Sequence, residues 1–225
     1  MRPQIVVALA GNPNSGKTTV FNGLTGARQH VGNYPGVTVE RKEGYHRHNG
    51  TELHVVDLPG TYSLTAYSAE ELVARDFIIR EKPDVVVDIL DASNLERNLY
   101  LAVQLLELRV PLVLALNMSD AAEEQGYKID AESLAKSFGA KVVSTVGHKG
   151  EGMDRLVEAV VETAGEAERP QHDSGRAVTI DYGPEIEGEL ARISAALAPG
   201  TRDVNGHDPR WLAVKLLEGD KELRA

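Results

Sequence analysis

The stretch Gly11-Asn-Pro-Asn-Ser-Gly-Lys17-Thr18 limits the architecture of this chain more than any other. It follows the apolar run Ile5–Ala10, which reads as a buried strand. It precedes Thr19-Val-Phe-Asn-Gly-Leu, which reads as the start of a helix. Strand, Gly-rich loop and helix in that order make the setting of a Walker A loop. Main-chain N–H groups along Gly11, Asn12, Asn14, Ser15 and Gly16, with Pro13 shaping the same loop, would close around phosphate oxygens, and the helix N-terminus adds a partial positive charge there. Lys17 would reach the β- and γ-phosphates, the Thr18 hydroxyl would ligate Mg²⁺, and Thr19 joins the binding set in the same turn. A plain Gly-rich turn is the bland alternative, and the flanking elements argue against it.

With 225 residues there is room for one sizeable α/β core and a small appendage. Apolar runs alternate with amphipathic ones over the first three-quarters. Expected strands are Ile5–Ala10, Val37–Arg47, Glu52–Asp57, Asp84–Asp91, Leu112–Asn117 and Lys141–Ser144. Expected helices are Lys17–Gly26, Ala69–Glu81, Leu95–Leu108, Ala131–Phe138 and Met153–Ala164. The near-continuous runs Val85-Val-Val and Leu112-Val-Leu-Ala-Leu suit strands covered on both faces of a parallel sheet. Asn49-Gly50 between two strand-like runs signals a hairpin, hence one antiparallel edge. The fold class expected is α/β: a doubly wound, mostly parallel, six-stranded sheet of the P-loop type over residues 1–165. Residues 166–225 read as a linker (Glu166–Arg176), a short extended piece (Ala177–Asp181) and a small α-helical domain. Its two helices would start at Pro184 and Pro209, where proline suits a first turn.

A net charge of −10 argues against a nucleic-acid partner. The absence of cysteine excludes disulfides and thiolate metal sites and suits the cytosol. No apolar run reaches the roughly eighteen residues of a membrane span, and the N-terminus lacks signal-peptide regions. The chain is therefore expected to be soluble, with room for it to be part of something longer.

Further motifs sit at strand ends. In Asp57-Leu58-Pro59-Gly60, an acid closing a buried strand can hold Mg²⁺ through a water, and the Gly60 N–H can approach a γ-phosphate. Alone this pattern is a common turn; about forty residues after a Walker A loop it carries weight. Asn117-Met118-Ser119-Asp120 is similar to the Asn-Lys-x-Asp signature by which GTPases read guanine. Asp120 would accept from guanine N1–H and the 2-amino group, which adenine cannot offer. Asn117 would tie the base loop to the phosphate loop. Met118 replaces the usual lysine and covers the base by dispersion, without charge. Asp120 as a mere helix cap is the alternative. Ser144-Thr145-Val146 sits where GTPases place a loop whose N–H meets guanine O6, a reading that rests on position alone.

Between the first helix and the hairpin, Val31–Glu40 is dense in Gly and Pro and reads as a loop. Gly36 and Val37 lead into Thr38, the candidate switch threonine, whose hydroxyl would reach Mg²⁺ and whose carbonyl would position the attacking water. Thr38 as an ordinary strand residue is the alternative. The glutamine that orients water in familiar GTPases is missing: Thr61 and Tyr62 follow Gly60. Glu70 and Glu71 could act instead, though helix-surface acids are usually just solvated. His46 and His48 share a strand face without a further ligand nearby, a weak metal signal. Trp211 reads as a packing anchor.

Taken together, these residues make the chain resemble the cytosolic N-terminal region of the FeoB ferrous-iron transporters. The resemblance rests on Gly11–Thr19, on Val31-Gly-Asn-Tyr-Pro-Gly-Val-Thr-Val-Glu-Arg-Lys-Glu-Gly44 and on Asp57-Leu-Pro-Gly-Thr-Tyr-Ser-Leu64. It rests equally on Asp91-Ala-Ser-Asn-Leu-Glu-Arg-Asn-Leu99, Asn117-Met-Ser-Asp120 and Arg210-Trp-Leu-Ala-Val-Lys-Leu-Leu-Glu-Gly-Asp220. It implies a G domain that binds GTP and GDP with Mg²⁺ and hydrolyses GTP slowly, followed by a helical domain that favours bound GDP. It implies a cytoplasmic domain of a bacterial inner-membrane protein, with a membrane region following Ala225 as its partner; a homo-oligomer is compatible with this. Met118 fits the family. The resemblance also makes Asn14 a candidate K⁺ ligand beside the phosphates, where a cation could supply charge that other GTPases take from an arginine. Asn14 as a loop cap is the alternative. The catalytic set is then Lys17, Thr38, Gly60 and Asn14. A nucleotide sensor whose hydrolysis is incidental is the competing function.

Overall fold

The computed structural model describes residues 4–26, 29–65, 67–167, 178–197 and 208–220. One sheet is built from β1 (Gln4–Gly11), β2 (Gln29–Asn33), β3 (Glu40–His48), β4 (Thr51–Asp57), β5 (Val85–Asp91), β6 (Leu112–Asn117) and β7 (Lys141–Ser144), in the spatial order β2-β3-β4-β1-β5-β6-β7. The five strands β4, β1, β5, β6 and β7 run parallel; β3 is antiparallel to β4 and β2 to β3.

The sheet thus has seven strands, not six. The additional one, β2, pairs Gln29 with Gly44 through Asn33 with Glu40. Its residues are almost all exposed, so it carries no apolar alternation to betray it, and part of it falls in the stretch expected to be loop. The expected strand Val37–Arg47 begins only at Glu40, which leaves Val37 and Thr38 in the connection. That connection is a type II turn: Val37 N donates to Tyr34 O (3.3 Å), Pro35 sits second and Gly36 third with φ 77°. Asn49 and Gly50, with φ 47° and 83°, close the two-residue hairpin between β3 and β4.

Helices cover both faces, as the buried parallel strands demand. α1 (Lys17–Thr25) and α6 (Met153–Ala167) lay Val20, Phe21, Leu24, Leu156, Val157 and Val160 on Val7, Leu9, Val87, Ile89 and Val113. The other face receives α2 (Ala69–Asp76), α3 (Leu95–Glu107), α4 (Ser119–Glu124) and α5 (Ala131–Phe138), with Leu101, Ala102 and Leu105 against Ala8, Val86, Leu90 and Leu114. The helix expected over Ala69–Glu81 is α-helical only to Asp76 and continues as a wider π-turn, Phe77–Glu81, before Lys82 turns left-handed ahead of Pro83. α6 extends to Ala167, past the start of the expected linker; the rest of that linker and Ala177 lie outside the described residues.

The tail forms α7 (Pro184–Leu197) and α8 (Pro209–Glu218). Asp208 caps α8 by accepting from Arg210 N (2.8 Å) and Trp211 N (3.2 Å), with Pro209 in the first turn. Val178 and Ile180 pack on the α3 side of the sheet, so the tail docks on that face. Among the described residues no helix is long and apolar enough to cross a membrane.

Candidate nucleotide-binding site

β1 ends in Gly11, whose φ of 153° and surroundings leave no room for a side chain: a Cβ would lie 2.7 Å from Ile89 O. The loop then turns through Asn14, left-handed at φ 68°, with Ser15 N donating to Asn12 O (3.1 Å). Gly16 (φ 85°) precedes α1. Lys17 is buried, and its ammonium is hydrogen-bonded to the Asp57 carboxylate at the end of β4. Burial pushes the Asp57 carboxyl up, against the pull of Lys17. Thr18 and Thr19 face outward beside this pair.

After Asp57, Leu58 buries its side chain in the core and donates its N–H to Leu9 O (3.0 Å), so only its main chain borders the site. Thr61 N donates to Gly11 O (3.2 Å), and a Cβ on Gly60 would lie 3.4 Å from Pro13 Cα. The segment Asp57–Thr61 therefore rests directly on the phosphate loop.

The far end is organised by Asn117. Its Nδ2 donates to Ser15 O (2.9 Å), and its Oδ1 accepts from Gly147 N (2.9 Å) and Thr145 Oγ1 (3.3 Å). Three loops, those after β1, β6 and β7, are thus pinned by one buried amide. Ser119 adds a second tie, donating Oγ to Thr145 O (2.8 Å). Met118 adopts φ 58° and starts α4, which brings Asp120 into its first turn. Asp120 Oδ1 accepts from Ala121 N (3.0 Å) and Oδ2 lies 2.8 Å from Lys149 Nζ. The Lys149 hydrogen bond holds its carboxyl below the usual range, so it is a ready acceptor. Thr145 and Val146 are buried, while Ser144 is exposed.

Gly36, Val37 and Thr38 are not gathered with the rest. They are exposed and make no hydrogen bond to the phosphate loop or to Asp57. Tyr34 tethers their loop instead, buried edge-on against Phe77 with centroids 6.4 Å apart and Arg41 over its ring at 5.6 Å. Burial pushes the Tyr34 hydroxyl up to about 12.

Sequence reasoning misplaced Glu71 and missed the ties made by Asp91, Asn98 and Lys149. Glu71 does not stand solvated: it accepts from Ser63 Oγ (2.8 Å) and Tyr67 N (3.0 Å) and holds the loop before α2. The Ser68-x-x-Glu71 spacing of a capping box was the available signal. Asp91 caps the turn into α3 through Ser93, and Asn98 Oδ1 accepts from Asp91 N (3.2 Å). Lys149 next to Asp120 has no local signature at all. As for the histidines, His46 Nδ1 lies 2.8 Å from Leu24 O.

The whole arrangement is that of a P-loop GTPase-type G domain, and comparison with known proteins agrees. The family described as "Ferrous iron transport protein B" matches residues 5–160, and "FeoB cytosolic helical domain" matches residues 182–225. The chain belongs to the FeoB family. A fusion of Fe(2+) transport protein A with the Fe(2+) transporter FeoB from Porphyromonas gingivalis is 44% identical over 97% of this chain and 26% of its own length. The Fe(2+) transporter FeoB of Salmonella typhimurium is 42% identical over 99% of this chain and 28% of its own length. The FeoB chain described here thus spans about a quarter of the length of such curated relatives. Among solved structures, the cytosolic domain of T. maritima FeoB superposes with a TM-score of 0.89 in a GDP form (40% identity) and 0.87 in a GMPPNP form (40%). Each alignment covers 98% of this chain, with 84% and 83% of the respective T. maritima chains.

Proposed function

We propose that this FeoB chain binds GTP and GDP with Mg²⁺, hydrolyses GTP slowly, and serves as the cytosolic nucleotide-dependent regulator of a membrane region that carries Fe²⁺. The observation that carries the reading is the Asn117 clamp, which ties the phosphate loop to the base loops and sets Asp120 beside them. The nucleotide-bound forms of the T. maritima domain support it.

The residues present fit the chemistry. Lys17 sits on Asp57 only until a triphosphate, with its greater negative charge, draws the ammonium away. That leaves the Asp57 carboxylate and the Thr18 hydroxyl as oxygen donors of the kind Mg²⁺ takes. The Asp57 carboxylate and the Thr18 hydroxyl would hold Mg²⁺ there, and the ion would supply positive charge against the charge that develops on the phosphates. Gly60 N–H would donate to the γ-phosphate, and inward movement of the Tyr34–Val39 loop would offer the Thr38 hydroxyl to Mg²⁺ and its carbonyl to the attacking water. Ser144, Thr145 and Val146 close over the base. The Asn14 side chain is exposed and makes no hydrogen bond with another described residue, which leaves its amide oxygen free to take K⁺ beside the phosphates. Turnover of GTP in K⁺ should then exceed that in Na⁺; equal rates would remove this ligand.

Asp120→Asn is the decisive test. It should weaken guanine nucleotides by about a hundredfold or more and favour xanthine nucleotides. Equal affinity of the parent protein for GTP and ATP would refute the reading.

One observation favours a second reading, a nucleotide sensor with incidental hydrolysis. Two side chains near Gly60 that could orient water are committed: Thr61 is buried and Glu71 holds its own loop. Single-turnover hydrolysis slower than GTP dissociation would select it.

A further inference from the structure

The segment after Gly60 is held from outside the motifs, by the first turn of α3. Arg97 places its guanidinium carbon 4.2 Å from the centroid of the Tyr62 ring. Its own carbonyl accepts from Asn12 Nδ2 of the phosphate loop (3.4 Å). Thr61, immediately before Tyr62, donates its N–H to Gly11 O. A closed circuit results: phosphate loop to α3 through Asn12, α3 to Tyr62 through Arg97, and Thr61 back to the phosphate loop. Gly60 lies inside it, packed on Pro13.

Arg97 pairs with no carboxylate among the described residues, although the chain is rich in acids. Its side chain is exposed and would ordinarily be free to wander; among the described residues the Tyr62 face is the partner of its guanidinium. An arginine over an aromatic face is attracted by the ring quadrupole, and the guanidinium plane stacks well there. α3 itself is fixed: Asn98 and Asp91 lock its first turn, and Leu101, Ala102 and Leu105 root it in the core. Arg97 is thus a rigidly based clamp on Tyr62, the exposed residue between buried Thr61 and Ser63.

We propose that Arg97 is a positioning residue for GTP hydrolysis. Through Tyr62 it holds the Gly60 N–H over the phosphate loop, and so supplies by placement part of what the missing glutamine would supply by contact. This rests on the hydrolytic reading above. The effect belongs to the chemical step, because neither side chain is hydrogen-bonded to Lys17, Asp57, Asn117 or Asp120. It also depends on the ring face and not on the tyrosine hydroxyl.

The experiment is a double-mutant cycle read by single-turnover GTP hydrolysis and by affinity for fluorescent GDP. Arg97→Ala and Tyr62→Leu should each slow hydrolysis by about two- to fivefold, the size of an exposed cation–π contact, with GDP affinity little changed. The double variant should be no slower than either single one. Tyr62→Phe should retain most of the rate, and Arg97→Lys should fall between. Losses that multiply in the double variant, or a Tyr62→Phe as slow as Tyr62→Leu, would overturn the proposal. So would a rate unchanged in Arg97→Ala, and that result leaves the GTPase reading standing. A parent protein that binds GTP without hydrolysing it would overturn both.

Discussion

Asp88 stands in the middle of β5, fully buried, and neither carboxylate oxygen has a hydrogen-bond partner among the described residues. It shares a face with Val86 and Leu90, which belong to the cluster under α3. Burial pushes its pKa up to about 8. An aspartate in the unfolded chain titrates near 4, so between about pH 4 and pH 8 the folded protein holds a proton that the unfolded chain releases. Stability is therefore greatest, as far as Asp88 decides it, below pH 4. It declines by about 1.4 kcal/mol per pH unit until the folded group itself ionises. Asp88→Asn keeps the shape and removes the titration. Urea unfolding at pH 5.5 and pH 8 should show the variant gaining on the parent by several kcal/mol as pH rises. A difference that does not change with pH would mean that Asp88 is charged and solvated in the folded state.

At the scale of elements, the site is an interlock of three strand-to-helix connections, and Asn117 is its pin. Gly16 exists to admit that pin: a Cβ there would collide with Asn117 Nδ2. Asn117→Ala removes three hydrogen bonds between buried or half-buried groups and should cost about 3 kcal/mol in nucleotide-free protein. Denaturant unfolding of the apo protein checks this; unchanged stability would assign Asn117 to the ligand alone. Much of this was legible in sequence. A motif such as Asn117–Asp120 states side-chain chemistry at fixed spacing, and the parallel strands announce themselves through two-sided burial. What was hidden follows a physical rule as well. β2 is an edge strand paired on one side, and its residues bury too little to impose a period. The π-turn after Asp76 leaves the apolar pattern of a helix intact while changing its hydrogen bonding. Lys149 meets Asp120 across two loops, a relation that no local window contains.

Across the whole molecule, the tail is joined to the G domain by charges as well as by apolar contact. Arg210 binds Glu187 (2.7 Å) and Ile180 O (2.7 Å) and lies 3.5 Å from Glu107 at the end of α3; Arg109 lies 3.4 Å from Asp208. The deepest link is Arg75 to Asp220 at 2.6 Å, both almost fully buried. Arg75 belongs to α2, the helix that follows Asp57–Tyr67, and Asp220 directly follows the Gly219 cap of α8. Two buried ions stabilise each other only as a pair, so removing one should cost about 3–5 kcal/mol. Trp211, the single tryptophan, is buried in α8 and reports on this docking. In Arg75→Ala its emission should shift to the red at lower denaturant than the loss of far-ultraviolet circular dichroism, because α8 leaves while the sheet persists. In the parent the two signals should move together. Arg75→Met with Asp220→Leu replaces the pair by apolar volume and should restore coincidence. If Arg75→Ala alone keeps both transitions superimposed and unshifted, the ion pair does not hold the tail, and α2 has no grip on α8 through which movement of the Asp57–Tyr67 segment could reach it.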